Sequence, residues 1–220
     1  MKRLFVLLLA AVMLLAAGGQ AEGTVPETFT DGDYTYTVRE DGAAEITGYT
    51  GKGTELALPA ELGGKVVTAV GSGAFLNNRA LTDVVIPEGV AVIGDRAFSG
   101  CTGLKTVVIP ESAAGIGNWA FFRCTALEEI EIPEGVAAIG WYAFYECRAL
   151  LSVYLPDSLT DIGIRAFAYC EALEAAEIPG SVVSIGDGAF DGCGRVLVAA
   201  PEGSFAAQYC EDHQVPYETW

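Results

Sequence analysis

With 220 residues, 51% of them hydrophobic, the chain is long enough to bury a sizeable core, which excludes a disordered acidic tail. Its formal charge of −17 repels phosphate backbones and anionic bilayers alike, so nucleic acid and membrane surfaces are poor partners. The solubility of a secreted protein would by itself account for such acidity.

The chain opens as an export signal. Lys2 and Arg3 precede an unbroken apolar run from Leu4 to Ala17, and Gly19-Gln20-Ala21 places small residues where a signal peptidase needs them. Residues 1–21 therefore read as a signal peptide cut after Ala21. A retained membrane anchor competes with this reading, but a spanning helix needs about 18 or more apolar residues. No Cys follows the run to take a lipid, and Trp220 ends the chain without an apolar tail. Cleavage removes two cations and no acid, taking the charge from −17 to −19. The expected location is secreted or at the cell surface, with no membrane insertion after cleavage.

Residues 22–55 form an N-terminal segment, of which 22–29 read as loose. Tyr34, Tyr36 and Val38 alternate with Thr, Asp41-Gly42 is a turn signal, and Ala44-Glu45-Ile46-Thr47 returns. Residues 30–55 are thus expected to form a β-hairpin cap.

Residues 56–195 are repetitive. Ile86-Pro87, Ile109-Pro110, Ile132-Pro133, Leu155-Pro156 and Ile178-Pro179 recur every 23 residues, as do Ile93-Gly94, Ile116-Gly117, Ile139-Gly140, Ile162-Gly163 and Ile185-Gly186. Ala-Phe recurs at 97/98, 120/121, 143/144, 166/167 and 189/190, Cys at 101, 124, 147, 170 and 193, and Leu at 81, 104, 127, 150 and 173. An irregular first unit keeps Val70-Gly71 and Ala74-Phe75, puts Asn78 in the Cys place, and bulges around Gly63-Gly64 because Pro59 comes early. Six repeats precede a partial repeat and cap over residues 196–220; terminal units must differ, since the ends would otherwise expose core.

Within a unit, Leu104, Val107 and Ile109 form the inward row of a short strand, and Pro110, lacking an N–H, ends it. Gly117 eases the turn into the return leg. The six Phe of the Ala-Phe pairs should stack as one internal column at the strand spacing of about 4.8 Å. The expected fold is an α/β-type leucine-rich-repeat solenoid of short parallel strands and short helical turns, right-handed, with about six coils plus caps spanning about 30 Å.

The I-P…I-G-x-x-A-F-x-x-C unit in fixed register, with the hairpin and the terminal Ser204-Phe205-Ala-Ala-Gln-Tyr209 segment, resembles the BspA-like leucine-rich repeat family over roughly residues 33–220. The eighth position after the first Leu, Asn or Cys in the commonest leucine-rich repeats, holds Gly89, Ser112, Gly135, Ser158 and Ser181, so that Asn ladder is missing. The resemblance implies a secreted or surface protein, often bacterial and often binding host or neighbouring-cell proteins. It carries over no catalytic residue and names no ligand.

Cysteines in an exported chain usually pair. Five in one column, with Asn78 in the same place, point instead to buried thiols; the sequence leaves Cys210 open. Metal and cofactor sites are not expected: there is no C-x-x-C, and His213 is the only His. No catalytic residues are assigned, because no P-loop, dinucleotide fingerprint or nucleophile motif occurs; Asp31-Gly32-Asp33 is a fragment of a calcium loop and reads as a solvated turn. Paired acids alone do not make a glycosidase.

Repeats expose outliers column by column. In the Ala-Phe corners the second and sixth units are polar (Asp95, Arg96, Ser99; Asp187, Gly188, Asp191), whereas the middle units carry Trp119, Phe122, Trp141, Tyr142, Tyr145 and Tyr169. These six are the candidate ligand-contact residues, in competition with a packing role in which they turn inward beside Ala113 and Gly115 or seal a homodimer. A second candidate is an acidic strip on the strand face, Glu128, Glu129, Glu131, Tyr154, Glu174 and Glu177, suited to a basic partner and equally readable as a wet sheet face. The functional expectation is a secreted, non-catalytic binding module for an extracellular protein or glycan. The alternative is a structural or spacer protein without its own ligand, able to self-associate.

Overall fold

The computed structural model describes residues 26–220; the expected signal peptide lies outside them. Strands β1 (Thr28–Asp31), β2 (Tyr34–Val38) and β3 (Ala44–Tyr49) form an antiparallel ribbon. Alternation explains it: Tyr36, Ala44 and Ile46 are buried, and Gly42 takes the positive φ that the turn requires. Thr28 and Phe29, read as loose from the sequence, belong to β1, where the Phe29 ring stacks on Tyr36 at 5.5 Å. The apolar Phe29 has its partner directly opposite on the adjacent strand β2, a register that local composition does not reveal.

The ribbon joins the repeats through β3, which pairs in parallel with β6 (Lys65–Val70). After β4 (Glu55–Ala57), the extra residues of the first unit fold as β5 (Glu61–Leu62) against β6, antiparallel around Gly63-Gly64 at φ +57° and +73°. What reads as a bulge is a tight hairpin.

Each later coil gives two short strands. One row contains β7 (Asp83–Val85), β9 (Thr106–Val108), β11 (Glu129–Ile130), β13 (Ser152–Tyr154), β15 (Ala175–Glu177) and β17 (Leu197–Ala200). The other contains β8 (Val92–Ile93), β10 (Gly115–Ile116), β12 (Ala138–Ile139), β14 (Asp161–Ile162) and β16 (Ser184–Ile185). The second row runs unbroken from β6 to β16, pairing residues in parallel, Ile116 opposite Ile139 for example. The first row is two sheets, β4 to β11 and β13 to β17, with no strand pairing across Glu129–Ile130 and Ser152–Tyr154. Beyond β17, the helix α1 (Phe205–His213) buries Ala206, Ala207, Tyr209 and Cys210, with Ser204 as its N-cap, and β18 (Tyr217–Thr219) extends the first row.

The Ala-Phe corners are turns, not the short helical segments expected; α1 is the one helix among the described residues, and it lies in no corner. The reason is a left-handed residue every fourth position. Gly73, Arg96, Trp119, Tyr142, Arg165 and Gly188 form one column with φ between +51° and +65°. Asn77, Gly100, Arg123, Glu146, Tyr169 and Gly192 form another, between +57° and +75°. A right-handed helix cannot pass through such residues. Instead N–H groups bond across turns, as Ala97 to Gly94 (3.2 Å) and Cys101 to Phe98 (3.1 Å), and across coils, as Trp119 N to Trp141 O (2.8 Å) and Phe121 N to Ala143 O (2.8 Å).

The core is columnar. Phe75, Phe98, Phe121, Phe144, Phe167 and Phe190 stack with centroids 5.0 to 5.6 Å apart and planes within 8°. Burying one such ring contributes roughly 2–3 kcal/mol before any stacking term. Beside this column the five repeat thiols are buried and unpaired, as is Cys210. Each repeat thiol donates to the carbonyl of the Phe in the preceding coil, Cys124 Sγ to Phe98 O at 3.2 Å for example. Burial pushes the Cys101 thiol up to about 12 and raises Cys124 as well. The glycines of the I-G pairs matter for closeness, not for turn geometry: a Cβ at Gly140 would sit 2.6 Å from the backbone of Gly117 and Asn118.

Candidate interaction surfaces

Five of the six corner aromatics form one connected ribbon on the outside of the solenoid. Trp119 stacks on Tyr142 (5.8 Å, 5°) and Phe122 on Tyr145 (5.2 Å, 10°). Tyr142 tilts against Tyr145 at 5.5 Å, and Tyr145 meets Tyr169 edge-on at 5.3 Å. None of the six joins the buried core. Trp119, Phe122, Tyr142 and Tyr145 are half-buried by one another, while Trp141 and Tyr169 are exposed at 53% and 44%. Trp141 stands apart from the ribbon. It occupies the column of Asp95 and Asn118, and its side chain has no ring partner among the described residues.

Three of these aromatics stand at left-handed positions: Trp119 at φ +55°, Tyr142 at +56° and Tyr169 at +60°. A bulky side chain there costs about 1–2 kcal/mol relative to Gly, and the same columns hold Gly73, Gly188, Gly100 and Gly192 in other coils. The remaining places hold Arg96, Arg165, Asn77, Arg123 and Glu146, so the backbone favours Gly, tolerates polar residues, and does not itself require the Trp and Tyr of the middle coils. Ring stacking returns about 0.5–1.5 kcal/mol per pair, so stability alone gives little net reason for the exchange.

The sequence reading missed what surrounds the ribbon. Arg79, Arg96, Arg123, Arg148, Arg165 and Arg195 place one arginine in each of six successive corners. Arg96 lies over the Trp119 ring at 4.9 Å and Arg123 over Phe122 at 5.2 Å. Glu146 binds Arg123 (3.2 Å) and Arg148 (3.0 Å), which also reaches Glu171 at 3.5 Å. Such exposed pairs contribute about 0–1 kcal/mol each, but they fix the guanidinium planes. A short side-chain ladder was missed too: Asp95 Oδ1 accepts from Asn118 N, and Asn118 Oδ1 from Trp141 N, both at 2.8 Å. The signal for all of these was the alignment of the repeats with one another, column by column.

The acidic strip lies on the outward side of the first strand row. Glu128, Glu129, Glu131, Tyr154, Glu174 and Glu177 are all exposed, Tyr154 at 63%; Glu174 reaches Arg195 at 3.8 Å. A shallow depression of about 440 Å³ lies elsewhere, between the N-terminal ribbon and the first corner, lined by Thr35, Thr47, Tyr49 and Asn78. It gathers no acid–base pair. Among the described residues no cluster of His, Cys, Asp or Glu could hold a metal ion, and no helix is long and apolar enough to cross a membrane.

A parallel solenoid of 23-residue coils with Phe, Cys and Gly columns defines a leucine-rich repeat protein. The model of the BspA type leucine rich repeat region matches residues 68–196 with 6 copies, and the chain belongs to that family. It is similar to a solved leucine-rich repeat protein of T. pallidum, at 33% identity and a TM-score of 0.75, over 78% of this chain and 81% of that one. A leucine-rich repeat protein of Bacteroides ovatus matches at 32% identity and a TM-score of 0.72 over 78% of this chain. A leucine rich cell surface protein of Faecalibacterium prausnitzii matches at 30% and 0.67 over 82%. The chain spans about half the length of these last two, 46% and 56%. The comparison with curated proteins found no match.

Proposed function

We propose that this protein is an exported, non-catalytic interaction module that engages an extracellular partner through the aromatic corner ribbon. The observation that carries this reading is the placement of Trp119, Tyr142 and Tyr169 at left-handed positions that the remaining coils fill with Gly or with polar Arg, Asn or Glu, never with an aromatic. Trp, Tyr and Arg are the residues that dominate binding hot spots, and the corners combine all three. A protein suits the ribbon better than a glycan. The stacked rings cover one another, Arg96 and Arg123 lie over two of them, and only Trp141 offers a free, widely exposed ring. The cell-surface description of the Faecalibacterium protein agrees with an outside location for this one.

The test uses arrays of extracellular-matrix proteins and of glycans probed with the mature chain. Trp141→Ala with Tyr142→Ala is compared with Asp187→Ala in a polar corner. The double variant is expected to lose at least tenfold in affinity for any captured protein while keeping the parent circular dichroism. Unchanged capture by the folded double variant removes the ribbon as the contact surface.

A further inference from the structure

We infer that the outward face of the first strand row is a second docking surface, and that its occupant is a cationic amphipathic segment of another polypeptide. The charges of the repeats are sorted by side. Residues 94–104, 117–127, 140–150, 163–173 and 186–196, the corners, carry five arginines and five acids. Residues 82–93, 105–116, 128–139, 151–162 and 174–185, the strand sides, carry eleven acids and one cation, Lys105. The corner arginines do not offset this field. Arg123, Arg148 and Arg165 are held by Glu146, Glu171 and Asp191 of the corners themselves; only Arg195 reaches a strand-side acid, Glu174.

Acidity alone would need no partner but water. The same face, however, exposes Val85, Val108, Leu151, Tyr154 and Leu197, with relative exposures from 41% to 63%. Val85 and Val108 stand on neighbouring rungs, and from Val108 onward apolar and acidic rungs alternate along the solenoid: apolar at Val108, acidic at Glu129 and Glu131, apolar at Leu151 and Tyr154, acidic at Glu174 and Glu177, apolar at Leu197. Successive rungs are one coil apart, about 4.8 Å, close to the 5.4 Å pitch of an α-helix. A helix laid along the axis with Lys or Arg and Leu or Ile on alternate turns of one face would meet carboxylate and apolar rungs in turn. Negative potential steers such a segment in, and apolar burial retains it. A purely polyanionic face would favour any polycation equally; the interleaved apolar rungs favour an amphipathic one.

The experiment uses the full mature chain and three labelled synthetic peptides of roughly 18 residues, five helical turns. One alternates Lys and Leu rungs on one helical face, one keeps the same Lys count with Gly in place of Leu, and one replaces every Lys by Glu. Fluorescence anisotropy is read at about 50 and about 500 mM NaCl, on either side of physiological screening. The Lys–Leu peptide is expected to bind at least tenfold more tightly than the Lys–Gly peptide, and the Glu–Leu peptide not to bind. Glu129→Gln with Glu131→Gln and Glu177→Gln should weaken the Lys–Leu peptide at least tenfold. Leu151→Ala with Tyr154→Ala should weaken it severalfold while leaving the Lys–Gly peptide unchanged. Trp141→Ala with Tyr142→Ala, on the corner, should have no effect, which separates this surface from the ribbon. Equal affinity for the Lys–Leu and Lys–Gly peptides, or full affinity in the folded triple Gln variant, overturns the inference.

Discussion

Gly140→Ala adds one methyl group to a 220-residue chain and should be among its most damaging small changes. The new Cβ would lie 2.6 Å from Gly117 C and Asn118 N, where ordinary contact begins at 3.4 Å. The obstacle is backbone of the neighbouring coil, not a side chain that can rotate away. The coils must part by several tenths of an ångström, at the point where Gly140 N donates to Ile116 O (2.8 Å) and Trp119 N to Trp141 O (2.8 Å). Overpacking costs about 1–3 kcal/mol, and each weakened ladder bond adds about 0.5–1.5 kcal/mol. A total of about 2–6 kcal/mol lowers Tm by about 4–24 °C in a domain of this size. Gly194→Ala is the matched control, because a Cβ there meets nothing within 4 Å; it should leave Tm unchanged. Thermal unfolding followed by circular dichroism under reducing conditions measures both. If Gly140→Ala melts with the parent, close coil approach is not what places Gly in this column.

Buried thiols whose burial raises them make stability fall in alkali; Cys193, lowered by its hydrogen bond with Cys170, is the exception. Cys101 is held near 12 and Cys210 near 11 against an ordinary 9.0, so the folded state keeps protons that the unfolded state loses. Their contribution is complete below pH 9.0 and is lost as pH rises toward those values. Tm should drop as pH rises from about 9 toward about 12, and native protein at about pH 8 should resist alkylation until denatured; rapid labelling of the folded chain would contradict this burial. Asn118→Ala removes the acceptor for Trp141 N and should cost about 1 kcal/mol, seen as a small drop in Tm; a Tm equal to that of the parent would make the Asp95–Asn118 ladder incidental.

Much of the fold was legible because a repeat compares itself with itself. The Ile-Pro, Ile-Gly, Ala-Phe and Cys columns, read at 23-residue spacing, became the strand ends, the close-approach glycines, the ring stack and the thiol row. Three things were not legible for physical reasons. Non-Gly residues at positive φ carry no local mark, although Gly73 and Gly188 at the ends of one column, and Gly100 and Gly192 in the other, held the clue. Gly63-Gly64 looked like an insertion because β5 pairs only with the strand that follows it. The pairing of Phe29 with Tyr36 depends on a register that composition does not encode. For the candidate site, the aromatic outliers were visible in the repeats, but their division into a ribbon and a separate Trp141 depended on side-chain directions at the left-handed corners. The arginine framing was present in every unit and passed unread because its members occupy different positions within the corner.

The division of the first strand row between β11 and β13 has a mechanical meaning. On one side of the solenoid, β12 and β14 and the corner bonds Phe121 to Ala143 and Phe144 to Ala166 continue without interruption. On the other, the same level lacks strand pairing and is bridged by one backbone bond, Leu151 N to Glu128 O (3.1 Å). A rod stitched along the whole of one edge, and more weakly at one level of the other, bends at that level more readily than it stretches. Load applied between the ends would concentrate its strain at this seam, opening the Glu129–Tyr154 side first and leaving the Phe stack as the spine of the fold.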